Sequence, residues 1–400
     1  MTHIDLTKPV EIPSWLKSWL KIAEGSTFIG SGELERQWLE IGEETAEAIL
    51  KVLPTGKYTM GPYLERFENE FAEFSGCKFG IGVSSGTAAL HLAMRAIEVG
   101  PGDEVITVAN TYVATALAIS YTGATPVFVD VDPKTYNMRA DLVASKITPR
   151  TKAILPVHLY GQPVDMDPIL KLARKHNLWV VEDDSHAHGA TYKDRKVGSL
   201  GDIGCFSLYP SKNMGAYGDG GIITTNSDEL YQKIRVLRYV GQRVKFVHEV
   251  IGFQERLDEL QAAALSVKLR YLDSWNNRRR KWAAVYDEML AGAPVVLPYV
   301  APEAHHVYYS YAILVKKEER EELMSFLADR DVGSFAMYPT PVPLLPCYAD
   351  LSYRPQDVPV AAHGNDRIAQ FELDPAFFAG VDLFRPKQAQ GCDCFTCADE

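Results

Sequence analysis

Phe79-Gly-Ile-Gly-Val-Ser84, then Ser85-Gly86-Thr87, then Ala88-Ala-Leu-His-Leu-Ala-Met-Arg-Ala-Ile97: this stretch decides the fold. Its first part reads as a short apolar strand, its middle as a turn of small residues, and its last part as a helix. The same alternation recurs downstream. Glu104 to Val108 reads as a strand and Thr115 to Tyr121 as a helix. Pro126 to Val131 and Ala153 to Leu159 read as strands. Pro168 to His176 reads as a helix, with Asp167 as its N-cap and Pro168 at its first position. Trp179 to Glu182, Gly204 to Ser207 and Gly221 to Thr225 are further short strands. Strands that alternate with helices specify an α/β fold, a mostly parallel sheet covered on both faces. The ligand of such a sheet sits outside the carboxyl ends of its strands.

The flanks read differently. Ser14-Trp-Leu-Lys-Ser-Trp-Leu20 and Leu39 to Val52 have the spacing of amphipathic helices. Lys57 to Pro62 is a turn, and Tyr63 to Phe74 another helix. From Leu257 the chain is helical, with Leu260, Ala264 and Val267 on one face and Arg278-Arg-Arg280 on its polar continuation. A smaller α+β unit follows, with a strand from Tyr308 to Val315 and a helix from Glu318 to Ala328. After Ala362 the periodicity weakens. The expected organisation is a helical N-terminal extension (1–55), a large domain (56–275), a small C-terminal domain (276–362) and a divergent tail (363–400).

The 400 residues carry a net charge of -11, which argues against a nucleic-acid binder. It leaves room for an anionic small molecule, since a few local cations and backbone amides suffice to make a positive pocket. The start, Met1-Thr2-His3-Ile4-Asp5, lacks the charged and apolar regions of a signal peptide. No apolar run approaches the roughly 20 residues of a membrane helix. A cytoplasmic protein without membrane contact is expected. Cys77, Cys205 and Cys347 are scattered and read as thiols in a reducing compartment. Cys392, Cys394 and Cys397 crowd together, but a fourth ligand and a second Cys pair are missing, so no metal site is expected.

Three motifs carry chemistry. Ser85-Gly86-Thr87 stands between a strand and a helix, where free N–H groups bind anions and a glycine admits a phosphate closely. Alone, it reads equally as small residues in a tight turn. Val180-Val-Glu-Asp-Asp-Ser-His186-Ala-His-Gly189 ends a buried strand with adjacent carboxylates. Glu182 and Asp183 point to opposite sides if the strand continues. A buried carboxylate needs a partner, and a protonated pyridinium nitrogen is one such partner. A helix N-cap at Asp184 or Ser185 is the plainer reading. Cys205-Phe-Ser207-Leu-Tyr-Pro-Ser-Lys212-Asn-Met-Gly-Ala-Tyr-Gly-Asp-Gly-Gly221 sets a lysine between a strand and a glycine-rich turn. A nucleophilic lysine must lose its proton in a desolvated or electropositive site, and glycines allow the backbone to turn around a bulky ligand.

Together these motifs resemble the pyridoxal phosphate (PLP)-dependent nucleotide-sugar aminotransferases, the DegT/StrS group of fold-type-I enzymes. The resemblance runs from about Gly56 to Ala362. It includes Ser84-Ser-Gly-Thr-Ala-Ala-Leu90, Pro101-Gly-Asp-Glu-Val-Ile106, Pro156-Val-His-Leu-Tyr-Gly-Gln162, Glu182-Asp183, the Lys212 motif and Arg256-Leu-Asp-Glu-Leu-Gln261. It implies a large domain with a mostly parallel mixed sheet and a smaller α+β C-terminal domain. It implies Lys212 as the Schiff-base lysine and proton carrier, with Asp183 on the pyridinium nitrogen. Gly86, Thr87 and Ser207 would hold the phosphate of pyridoxal 5'-phosphate. Tyr112 would stack on its ring, and His186, usually Gln in this group, would lie close to it. The resemblance also implies a homodimer with a shared active site, in which Gly252-Phe-Gln-Glu-Arg256 reaches the partner subunit's phosphate. Gln254 stands there where the group usually has Asn. The turn Tyr338-Pro-Thr-Pro341 is present, without the usual His near Pro343.

The implied reaction is ping-pong: glutamate or glutamine gives its amine to PLP, which passes it to a keto-sugar nucleotide. Val240-Gly-Gln-Arg-Val-Lys-Phe246 and Val267-Lys-Leu-Arg-Tyr-Leu-Asp-Ser-Trp-Asn276 look most like the branch that aminates C3 of dTDP-3-keto-6-deoxyhexoses. The alternatives are a keto-cyclitol or 4-keto-sugar aminotransferase and, from another class, a non-catalytic PLP-binding regulator. A sugar dehydratase of the same fold would have His in place of Lys212. A dinucleotide-binding oxidoreductase would need a Gly-x-Gly-x-x-Gly at the first strand, which is absent.

Overall fold

The short apolar runs of the sequence join into one seven-stranded sheet in the computed structural model, which describes residues 34–329 and 332–371. Helix α1 (Leu34–Val52) precedes α2 (Pro62–Ser75). Then come β1 (Phe79–Val83), α3 (Gly86–Ala96), β2 (Glu104–Val108), α4 (Ala114–Ser120) and β3 (Thr125–Val129). Next are α5 (Ala140–Lys146), β4 (Thr151–Leu155), α6 (Met166–His176) and β5 (Trp179–Asp183). A small hairpin, β6 (Thr191–Tyr192) and β7 (Arg195–Lys196), leads to β8 (Ile203–Ser207), β9 (Gly221–Thr225) and α7 (Asp228–Arg238). A second hairpin, β10 (Gln242–Val244) and β11 (Val247–His248), precedes α8 (Glu259–Leu269) and α9 (Leu272–Met289). Last come β12 (Ala304–His305), β13 (Tyr311–Leu314), α10 (Arg320–Ala328), α11 (Pro359–Asn365) and β14 (Ile368–Phe371).

The sheet order is β1-β9-β8-β5-β4-β2-β3, and β9 alone runs against its neighbours. This is the mostly parallel mixed sheet that the sequence pattern specifies. Alternate side chains feed two apolar layers. Ile106, Ile154 and Val180 join Phe67, Phe71 and Phe206 on one face. Val105, Val181 and Ile223 join Leu90, Leu92 and Ile234 on the other. Burial on both faces explains why these strands read as continuous apolar runs. A third cluster, with Ala283, Tyr308, Tyr311, Ile313 and Ala369, forms around β13 and β14.

Several elements differ from the sequence reading. Helix α6 begins at Met166, so Asp165 occupies the cap position and accepts the Tyr192 hydroxyl at 2.6 Å. Asp167 lies in the first turn and pairs with Lys193 instead of capping. Strand β4 stops at Leu155, and Leu159–Gly161 forms a 3-10 turn. Gly161 has φ +103°, and a Cβ there would lie 2.8 Å from the backbone nitrogens of Tyr308 and Tyr309. That close approach ties the turn to the segment that leads into β13. Beyond Ala362 the chain continues through α11 and pairs β14 antiparallel with β13. Four residues give too little pattern to read, since their partner strand lies far away in sequence. Ser14 to Leu20 and the Cys392, Cys394 and Cys397 cluster lie outside the described residues. No described helix is long and apolar enough to cross a membrane.

The end of β5 holds three consecutive buried carboxyl groups. Glu182 accepts N–H bonds from Gly198 (3.1 Å), Leu200 (2.9 Å) and Gly201 (2.7 Å). His158 Nδ1 accepts the Val164 N–H at 2.9 Å, so its proton sits on Nε2, 3.0 Å from Glu182. That proton occupies the lone pair a metal ion would need, and the His158–Glu182 pair is a hydrogen-bonded tie with Asp184 beside it. Asp184 has no hydrogen-bond partner for either carboxyl oxygen among the described residues. Burial, then the charges of Glu182 and Asp183, pushes its carboxyl well above the usual range. The folded protein keeps a proton that an unfolded Asp releases with a pKa of about 3.9. Folding is therefore opposed more strongly as pH rises above that value. Asp184→Asn is expected to raise the denaturation midpoint, and to raise it more at pH 8 than at pH 5. Urea titrations of the cofactor-free protein at both pH values check this; an equal or larger gain at pH 5 would count against a protonated Asp184.

Candidate active site

The parallel strands β1, β2, β5 and β8 end at one edge of the sheet, where the antiparallel β9 begins. A cavity of about 490 Å³ opens there, within the size range of small-molecule and cofactor sites. Its floor is set by the β1–α3 turn. The Ser85 side chain caps α3 by accepting the Ala88 N–H at 3.1 Å. The N–H groups of Gly86 and Thr87 cannot be bonded within the helix they open. A Cβ on Gly86 would come 2.6 Å from the Ser207 Cβ, so only glycine lets this turn meet the end of β8. Gly86, Thr87 and Ser207 thus line one corner with a helix N-terminus and hydroxyls, a setting for a phosphate.

Asp183 enters the cavity from β5, while Glu182 turns to the opposite side of the strand. Its Oδ2 accepts the Thr115 hydroxyl at 2.8 Å and its Oδ1 the Ser185 N–H at 3.2 Å. Thr111 passes a hydrogen bond to Thr115 at 2.8 Å, fixing that hydroxyl's direction. The Asp183 side chain is buried, and the Thr115 hydroxyl and the Ser185 N–H hold its carboxyl group in place at the cavity wall. Lys212 reaches in from the opposite side. Its N–H closes a turn on the Tyr209 carbonyl at 2.9 Å, and its Nζ lies 4.4 Å from the centre of the Tyr309 ring.

His186 stacks on Tyr309 with ring centres 4.1 Å apart. Its Nδ1 accepts the Tyr160 N–H at 3.4 Å, and its Nε2 lies 3.3 Å from the Tyr338 hydroxyl. Burial, then the charges of Lys212 and His188, holds its pKa well below the ordinary value. His186 is therefore neutral, with its proton on Nε2 directed at Tyr338. Tyr112 is exposed on the outer wall, its ring 5.9 Å from that of Tyr338.

The structure therefore brings Gly86, Thr87, Tyr112, Asp183, His186, Ser207 and Lys212 around one cavity. Gln254 is not among its lining residues. It is exposed, on a backbone bridge to Tyr239. Thr115, Ser211, Asp219, Tyr309 and Tyr338 line the cavity too, and sequence reasoning gave them no role there. Thr115 had a signal, since it stands at helical spacing from Thr111. Tyr309 had none, because non-local contacts place it, among them the close approach of Gly161 and the stack on His186. An anion cradle, a buried carboxylate and a lysine converging on one space match the phosphate, ring nitrogen and aldehyde of pyridoxal phosphate.

Comparison with known proteins agrees. Residues 39–378 match the model of the DegT/DnrJ/EryC1/StrS aminotransferase family. The chain is 44% identical over 332 residues to a "pleiotropic regulatory protein" of Geobacillus stearothermophilus, covering 82% of this chain and 89% of that one. It is 46% identical over 318 residues to a dTDP-3-amino-3,4,6-trideoxy-alpha-D-glucose transaminase of Streptomyces venezuelae, covering 79% and 83%. Among solved structures, S. venezuelae DesV in complex with a ketimine intermediate superposes with a TM-score of 0.85 at 42% identity, covering 88% of this chain and 95% of that one. Bacillus subtilis NtdA with bound cofactor PMP superposes with a TM-score of 0.82 at 32% identity, covering 89% and 82%. The chain belongs to the DegT/DnrJ/EryC1/StrS family and is a PLP-dependent sugar aminotransferase.

Proposed function

We propose that this enzyme transfers the amino group of L-glutamate or L-glutamine to C3 of a dTDP-3-keto-6-deoxyhexose, with Lys212 and Asp183 as its catalytic residues. The observation that carries the catalytic assignment is the convergence of Lys212 and Asp183 on one cavity beside the Gly86–Thr87 turn. The substrate assignment rests on the dTDP-sugar transaminase relative. A keto-cyclitol or 4-keto-sugar would meet the same cofactor residues.

When bound, the cofactor supplies an electron sink that makes a proton on the neighbouring carbon labile. The protein does the rest. Asp183 keeps the ring nitrogen protonated, because an adjacent carboxylate favours the charged form. Gly86, Thr87 and Ser207 anchor the phosphate by backbone N–H groups and a hydroxyl. The Lys212 Nζ would hold the cofactor and, once released by the incoming amine, would serve as the base and acid that takes up and returns a proton. The Tyr112 ring, on the outer wall of the cavity, would cover one side of the cofactor and limit the entry of water.

The hairpin β10–β11 and its flanks expose Val244, Phe246, Val247, Val250 and Ile251, with Phe246 at 80% and Ile251 at 86% exposure. A contiguous apolar surface of this kind supports an interface. Gln254 follows directly, and a homodimer would explain why it lies outside its own chain's cavity: it serves the partner's phosphate.

Lys212→Ala is expected to abolish both the visible absorbance band of the loaded enzyme and transamination; an active variant with an unchanged spectrum would overturn the assignment. Asp183→Asn is expected to lower kcat about 10- to 1000-fold in a protein that stays folded, since an ion pair of this type shifts a pKa by about 1–3 units. For the substrate, the band should bleach with L-glutamate and return on adding a dTDP-3-keto-6-deoxyhexose. Return only with a 4-keto-sugar or a keto-cyclitol would move the enzyme to that branch. Phe246→Asp combined with Ile251→Asp should convert a two-chain mass in light scattering to a one-chain mass. Unchanged mass would remove this hairpin from the interface.

A further inference from the structure

Helix α8 carries a lysine that the chemistry above does not use. Lys268 has no exposed surface, which is rare for an ammonium group. Among the described residues no carboxylate forms an ion pair with it. Its Nζ donates to the Gly215 carbonyl at 2.7 Å and sits 4.0 Å from the centre of the Tyr217 ring. Gly215 and Tyr217 belong to the loop that begins with Lys212. Seven residues earlier on the same helix, Gln261 grips that loop again. Its Oε1 accepts the Tyr217 N–H at 2.8 Å and its Nε2 donates to the Tyr217 carbonyl at 3.1 Å.

The loop needs such a support. It turns so tightly that a Cβ on Gly215 would come 2.2 Å from the Pro210 carbonyl oxygen. The Gly215 carbonyl faces the protein interior, where an unbonded acceptor is costly. A buried lysine without a counter-charge is also costly, and burial pushes its pKa down to about 7. Amine and ammonium alike can donate to the carbonyl. A methionine would fill the same space without the desolvation cost, so stability alone gives little reason for a lysine at this position. The N-terminal helix completes the arrangement. Trp38 on α1 meets the Tyr217 ring edge to face at 6.0 Å and packs against the ring of the cation–π pair. Glu44 and Glu40 fasten α1 to Tyr271 and Arg278.

We propose that Lys268 and Gln261 are positioning residues that clamp the Gly215–Tyr217 segment and so fix where Lys212 points. The proposal rests on Lys212 as the lysine that holds the cofactor. Misplacement of a reacting group by about 1 Å costs up to about 100-fold in rate, and only Asn213 and Met214 separate Lys212 from Gly215.

The test uses Lys268→Met and Gln261→Leu, each in the cofactor-loaded enzyme, with Lys212→Ala as control. Three readings are taken: the pH midpoint at which the visible cofactor band titrates, kcat and KM for the amino donor, and amide hydrogen exchange across residues 208–217 in cofactor-free protein. Lys268→Met is expected to move the midpoint, to lower kcat about ten-fold or more with KM changed far less, and to speed exchange in 208–217 selectively. Gln261→Leu should move all three in the same direction by less. Its side chain is only partly buried, so it decides the matter if Lys268→Met does not fold. An unmoved midpoint with kcat within about two-fold of native, in whichever variants fold, would overturn the proposal. If Lys212→Ala keeps the band, the assignment of Lys212 fails instead, and the two failures are distinguished.

Discussion

Everything at this site depends on the alternation of side chains along β5. Successive residues of a strand face opposite sides of the sheet, so a carboxylate can be directed at the cavity only if its neighbour is directed away. Glu182 is that neighbour, and it is buried completely. It is tolerated because three backbone N–H groups and His158 satisfy it. Those bonds also join β5 to the 198–201 loop and, through His158, to the Val157–Gln162 turn. The carboxyl group that Asp183 presents to the cavity is therefore positioned by a second carboxyl group on the opposite side of the strand.

The same economy governs α8. Its first residue, Glu259, accepts N–H bonds from Gly61 (2.7 Å), Tyr63 (2.9 Å) and Leu64 (3.1 Å) and so satisfies the start of α2. These donors have no partner inside their own helix, and a carboxylate also suits the positive end of a helix dipole. Gln261 and Lys268 on the same helix hold the lysine loop. One buried helix thus sets both the entry to the large sheet and the side of the cavity opposite Asp183. Its own hydrophobic periodicity is weak because almost every side chain is buried, the polar ones included.

The sheet was legible because each strand is buried on both faces and bounded by turn residues, and the meeting of seven candidate residues at one cavity was legible because they stand at or just beyond strand ends. What stayed hidden is what non-local contact decides. Asp167 looks like a cap by sequence, yet Lys193 from a separate hairpin draws it away. β14 exists only because β13 offers an edge. Tyr309 reaches the cavity through non-local contacts, among them those with Gly161 and His186. Gln254 matched a motif whose reading needs a second chain, and in a single chain it has no cavity to face.

This division has a chemical cause. The cofactor presents a fixed set of charges, so the residues that meet it must be of fixed type: glycine and hydroxyls for phosphate, an acid for the ring nitrogen, a lysine for the aldehyde. Such requirements leave marks in sequence. The outer wall is built from Tyr112, Tyr309 and Tyr338, and aromatic rings provide area for many sugars equally well. The direction of one hydroxyl on that wall is set from behind: His186 accepts the Tyr160 N–H on Nδ1 and so turns its Nε2 to the Tyr338 hydroxyl. Residue identities at the cavity are read from the sequence, whereas the orientation of its O–H bonds exists only once the chain has folded.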